Sequence, residues 1–161
     1  MARDHWLARN RRCATTAAIL LASTHCAQLP PTSSVAIQSI PSGAARLWFY
    51  RDYEPYETLA RPHVRLNEQV AGVSEPGGAF YRDVVPAHYS ITVDSAGRDV
   101  NQFADVDLVP GQEAYAKILS LRSWLAEDCV TWGGCDTFYV RLMPAEAARA
   151  DIARRPFYGG G

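Results

Sequence analysis

The sequence predicts a mainly β fold: an antiparallel β-sandwich of seven to eight short strands with one C-terminal helix. Three observations predict it. Residues 88–93 alternate strictly, with Tyr89, Ile91 and Val93 on one side and His88, Ser90 and Thr92 on the other. Successive strand side chains point to opposite faces, so this segment buries one face and wets the other. Runs of β-branched and aromatic residues recur along the chain, separated at close spacing by Gly, Pro and Asn clusters, which is the punctuation of short strands. Helix signals at both ends occur in one segment alone, 144–155. Pro144 suits a first helical position, Glu146 the N-terminal end of the dipole, and Arg154 with Arg155 the other.

The chain has 161 residues, of which 48% are hydrophobic and 20% charged, ordinary values for a globular domain. Its N-terminus reads as a targeting segment over 1–26. Arg9, Arg11 and Arg12 precede a short apolar run, 13–22, the layout of a secretory signal peptide and too short to span a bilayer, which needs ~20 apolar residues. Ser23-Thr24-His25-Cys26 resembles a lipobox ending at Cys26, a candidate lipidation site, although Ser23 and His25 stand where Leu and a small residue are usual. Ordinary cleavage after Cys26 or Ala27 competes with it. Residues 27–43, with Pro30-Pro31-Thr32-Ser33-Ser34, read as a flexible linker between an anchored end and the body. Removing 1–26 leaves 12 basic and 16 acidic residues, a net charge of −4. A mildly acidic body offers no footprint for nucleic acid or for anionic lipid.

Within the body, 44–143, the first strand is Ala44–Arg51, with Leu47 and Phe49 opposed to Trp48 and Tyr50. His63–Leu66 and Gln69–Val73 follow, joined at Asn67-Glu68. A Gly77-Gly78 turn leads into Ala79–Val84, a Pro86-Ala87 corner, and the 88–93 strand. Ala104, Val106 and Leu108 alternate with Asp105 and Asp107. Residues 113–121 score as helix by their Ala and Leu content, but the Pro110-Gly111 turn before them favours strand. Thr137–Leu142 is the last strand, and 156–161, ending in three glycines, reads as a disordered tail.

Three motifs carry a family resemblance. Gly78…Phe80-Tyr81…Val84-Val85-Pro86-Ala87-His88-Tyr89-Ser90-Ile91, Val109-Pro110-Gly111-Gln112-Glu113-Ala114-Tyr115-Ala116-Lys117 and Leu47-Trp48-Phe49-Tyr50-Arg51 are similar to elements of a bacterial envelope lipoprotein-like family, domain of unknown function 2846. Related transthyretin-like and carboxypeptidase-regulatory-like sandwiches use the same corner. The resemblance covers roughly residues 44–143 and implies a secreted, often lipid-anchored β-sandwich with no established activity. This chain departs from it at Ala87, where glycine is usual.

No nucleophile elbow, zinc-ligand cluster, phosphate loop or dinucleotide fingerprint occurs, so neither an enzyme nor a cofactor is expected. His63 and His88 are the histidines left after the leader, and His88 falls on the wet strand face. Asp94, Asp99 and Asn101 share a loop without the register of a calcium loop and read as polar turn residues. Asp105 and Asp107 read as an exposed face. Tyr50, Arg51, Tyr53 and Tyr56 leave the first strand together and are a candidate ligand surface for a sugar or peptide. Cys13 lies in the leader and Cys26 at its end, so Cys129 and Cys135 form an isolated pair in an exported chain, where disulfides persist. They are expected to staple a long hairpin connection. The expected function is a non-catalytic envelope module, periplasmic or lipid-anchored, that binds or braces an envelope protein. The alternative is a glycan- or peptide-binding sandwich using the tyrosine-rich loop.

Overall fold

A computed structural model describes residues 28–53, 58–123 and 135–161. The strands are β1 (Ala45–Arg51), β2 (His63–Leu66), β3 (Gln69–Val73), β4 (Ala79–Val84), β5 (His88–Val93), β6 (Ala104–Asp107), β7 (Glu113–Ser123) and β8 (Cys135–Leu142), followed by helix α1 (Ala145–Ala153). They form two four-stranded sheets, ordered β4-β1-β7-β8 and β3-β2-β5-β6. This is the expected sandwich. Every pairing is antiparallel except β1 with β7, which run parallel from Arg46↔Glu113 to Arg51↔Ile118.

The corner at 85–87 carries the chain from one sheet to the other, since β4 pairs with β1 while β5 pairs with β2 and β6. Among the described residues only Asn67, Glu68 and Asn101 combine a side chain with a positive φ. Ala87 is not one of them, so the corner does not require glycine's freedom there. Asn67 and Glu68, at φ 45° and 69°, are both left-handed, as the twist of a two-residue hairpin demands.

The core lies between the sheets. Leu47 and Phe49, with Ile118 and Val140 of the same sheet, pack with Val64 and Ile91 of the other, all buried, and the Phe49 and Phe80 rings stack at 4.9 Å. Ile91 and Val93 are buried while His88 is exposed, so the facing of β5 is the one its alternation predicts.

The outer face of the β4-β1-β7-β8 sheet is buried as well. Trp48, Tyr50, Tyr81 and Tyr115 project there and pack with Ala148 and Ile152 of α1. All seven residues of β1 are therefore buried. The layer that covers this face includes two segments expected to be loose. Residues 30–34, placed in the flexible linker, are held by Thr32 N–H donating to Arg155 O at 2.7 Å and by Phe157 N–H donating to Pro30 O at 3.0 Å. Residues 156–159, placed in the disordered tail, bridge β4: Ala79 N–H donates to Pro156 O at 3.0 Å and Tyr158 N–H to Ala79 O at 2.8 Å. The reason is shared. An apolar outer sheet face has to be covered, and α1 alone spans too little of it.

Candidate functional site

Of the residues singled out around the end of β1, the described ones, Tyr50, Arg51 and Tyr53, do not form a common surface. Tyr50 is 1% exposed and belongs to the outer cluster beneath α1. Burial first, then the charges of Asp151 and Asp52, push its phenol up to about 12. Arg51 is also 1% exposed but projects to the opposite face. It donates to Ala60 O at 2.8 Å, to Thr58 O and to Ser120 Oγ at 3.2 Å, with its guanidinium 5.1 Å from the Phe138 ring centre. Adjacent strand residues point apart, so Tyr50 and Arg51 cannot line one platform. Tyr53, 61% exposed, remains at the surface, and Tyr56 lies outside the described residues, as do Cys26 and Cys129. Cys135 opens β8, paired in register with Ser123 at the far end of β7. That is the expected hairpin.

The loop carboxylates are engaged by protein donors. Asp94 takes Arg65 Nε at 2.6 Å and lies 3.2 Å from His63 Nδ1; the Arg65 hydrogen bond chiefly holds its carboxyl below the usual range. Asp99 accepts from Tyr139 Oη at 2.7 Å, which lowers its carboxyl and raises the phenol. His88 pairs with Asp107 at 2.8 Å on the exposed face. Among the described residues no group of three or more His, Cys, Asp or Glu stands where it could hold a metal ion.

A more organised site lies under α1. A cleft of about 280 Å³ opens between residues 32–37, the outer faces of β1 and β7, and α1; Ile37, Trp48 and Ile152 form apolar walls. At its floor Glu113 gathers three donors. Tyr115 Oη donates to Oε2 at 2.6 Å, Arg149 Nη2 to the same oxygen at 2.8 Å, and Trp48 Nε1 to Oε1 at 3.3 Å. Arg149 Nε also donates to Tyr115 Oη at 2.7 Å, closing a ring of carboxylate, phenol and guanidinium. Burial alone would raise the Glu113 carboxyl, but the Tyr115, Arg149 and Trp48 donors outweigh it and hold the group below its usual range. Burial and the Glu113 hydrogen bond push the Tyr115 phenol up to about 12.

These states decide the chemistry. A carboxylate that already accepts three hydrogen bonds is a poor general base, and a phenol with so high a pKa is neither nucleophile nor base near neutral pH. The cleft can hold a group by shape and hydrogen bonding, and Glu113, Tyr115 and Arg149 hydrogen-bond one another at its floor. Sequence reasoning missed Glu113, Tyr115 and Arg149 as a unit. Glu113 and Tyr115 share a strand face two residues apart, a legible signal, but their partner on α1 is set by packing.

No protein-family model, no curated protein and no solved structure matches the chain.

Proposed function

We propose that the protein is a non-catalytic exported module of the cell envelope that binds or braces another envelope component. The observation that supports this reading is the closed Glu113–Tyr115–Arg149 network under α1, whose polar groups hydrogen-bond one another and Trp48. Export draws on the basic-then-apolar pattern of residues 1–26 and on the resemblance of 44–143 to an envelope family. Among the described residues no helix is long and apolar enough to cross a membrane, and attachment through a lipid at Cys26 is the anchor proposed. The alternative, a glycan or peptide held by the tyrosine-rich loop, would rest on Tyr53 and Tyr56, because Tyr50 and Arg51 are enclosed.

Fusing residues 1–34 to a reporter active only outside the cytoplasm tests export; a silent fusion overturns it. Metabolic labelling with a radioactive fatty acid should mark the wild type and not Cys26→Ser. Label in neither leaves a soluble periplasmic protein. In-cell crosslinking of the full chain should then capture one reproducible envelope component, and hydrolysis of a cell-wall substrate by the purified protein would refute the non-catalytic reading.

A further inference from the structure

The chain joins the folded body close to its proposed anchor. Phe157 N–H donates to Pro30 O and Thr32 N–H to Arg155 O, so the body begins at Pro30, four residues beyond Cys26. Four extended residues span at most ~14 Å. Pro30 sits at one end of the sandwich, because its partner Phe157 bridges Ala79, which pairs with Tyr50 near the end of β1. At the opposite end β1 begins at Ala45, paired with Val84. A strand of seven residues at ~3.3 Å each puts these two ends about 20 Å apart.

The end beside Pro30 presents large apolar and aromatic side chains. Leu29 is 43% exposed, Tyr53 61%, Leu59 69% and Tyr158 41%. Tyr158 lies over Gly78, where a β-carbon would strike its ring at 2.5 Å, and Tyr53 backs onto the adjacent Gly77. Leu59 stands between Thr58 and Ala60, whose carbonyls both accept from Arg51, the last residue of β1. One end of the fold thus carries all four. Leucines that enter the headgroup boundary and tyrosines with a wet tip are the composition of a membrane-contacting surface.

We infer that this end of the sandwich rests on the bilayer that holds the lipid at Cys26, with Leu29, Tyr53, Leu59 and Tyr158 in the headgroup region. The inference rests on the proposed lipid anchor and adds the surface by which the body meets the membrane. An acylated cysteine sits where hydrocarbon meets headgroups, and the headgroup layer is ~5–8 Å deep. Of the ~14 Å spanned by the tether, about 6–9 Å is left beyond that layer. The reverse orientation would lift Pro30 about 20 Å above the surface, farther than the tether reaches. After the leader the chain has a net charge of −4 and gains nothing from anionic lipid. The contact is therefore apolar and aromatic, and the short tether strengthens it by holding the surface at high effective concentration.

The test uses the full chain in its native envelope and an apolar carbene-generating photolabel dissolved in the lipid phase, with labelled peptides read by mass spectrometry. Val85 and Val109, 75% and 61% exposed at the other end, are the internal control. Peptides carrying Leu29, Tyr53, Leu59 and Tyr158 should take at least about fivefold more label than peptides carrying these valines. The double substitution Y53E/L59E changes two exposed side chains. It should keep the fatty acid on Cys26 and lower the label on the Leu29 and Tyr158 peptides at least about threefold. In an acylated chain, equal label at both ends, no label at either, or unchanged label in Y53E/L59E overturns the contact surface and leaves the anchor standing. Absence of fatty acid from Cys26 overturns the anchor and the contact together.

Discussion

Truncating Ile91 to Ala probes the register on which the sandwich depends. Ile91 is 0% exposed, pairs with Leu66 on one side and Ala104 on the other, and faces the core between the sheets. Removing three buried carbons at ~0.8 kcal/mol each costs about 2.4 kcal/mol. A residual void of ~60 Å³ adds about 1.4 kcal/mol at ~24 cal/mol per Å³, and collapse of the neighbours brings that toward zero. The expected loss is therefore ~2.4–3.8 kcal/mol. With a urea slope of ~2 kcal/mol/M, the unfolding midpoint should fall by about 1–2 M. Thr92→Ala is the control. Its side chain lies on the other strand face, half-buried opposite Arg65, and its loss should cost less than about 0.5 kcal/mol. Urea titrations followed by circular dichroism measure both. A larger shift for Thr92→Ala, or an Ile91→Ala shift below ~0.5 M, would refute the facing of β5 and with it the core described above.

The buried pair Arg46–Asp83 is joined by two hydrogen bonds, at 2.7 and 2.8 Å, and their side chains are 3% and 13% exposed. Asp83→Ala leaves the guanidinium with Gln38 O and the Tyr81 ring face as partners and should cost ~3–5 kcal/mol by urea unfolding, whereas the charge-free pair Arg46→Met/Asp83→Leu should recover most of it. Glu113 gives a pH dependence whose sign follows from its lowered folded-state pKa. Its stabilisation is complete above the unfolded value near ~4.3 and is lost as pH falls through the folded one. Thermal melts from pH 7 downward should thus show a steeper acid loss in wild type than in Glu113→Gln; parallel curves would sink the assignment. With export as proposed, mass spectrometry of protein recovered outside the cytoplasm should find Cys129 and Cys135 linked, about two mass units below the dithiol, and two free thiols would remove the staple.

The alternation of 88–93, the Asn67-Glu68 turn and the presence of a helix after Pro144 are properties of a few neighbouring residues, and the sequence alone determined them. The bounds of that helix were not so determined, since Pro144 is the extended N-cap rather than the first helical residue and the helix ends at Ala153, before Arg154 and Arg155. Strand geometry, left-handed turn positions and helix termini all act over short stretches of chain. The outer layer was different. Trp48 and Tyr50 could equally have faced solvent, because aromatic residues with polar tips suit half-exposed strands. Only the docking of α1, residues 30–37 and residues 156–159 onto one sheet face buried them and took Tyr50 out of the candidate ligand surface. Glycine-rich and Pro/Ser-rich segments look loose in isolation because they lack side chains to pack. Here their backbones supply the hydrogen bonds, and Gly78 and Gly160 leave the space that Tyr158 and Tyr81 fill. The Glu113–Tyr115–Arg149 ring is likewise a tertiary product. Two of its members share a strand face, but the third stands 34 residues beyond Tyr115, and which helical side chain meets that strand is decided by how the helix settles on the sheet.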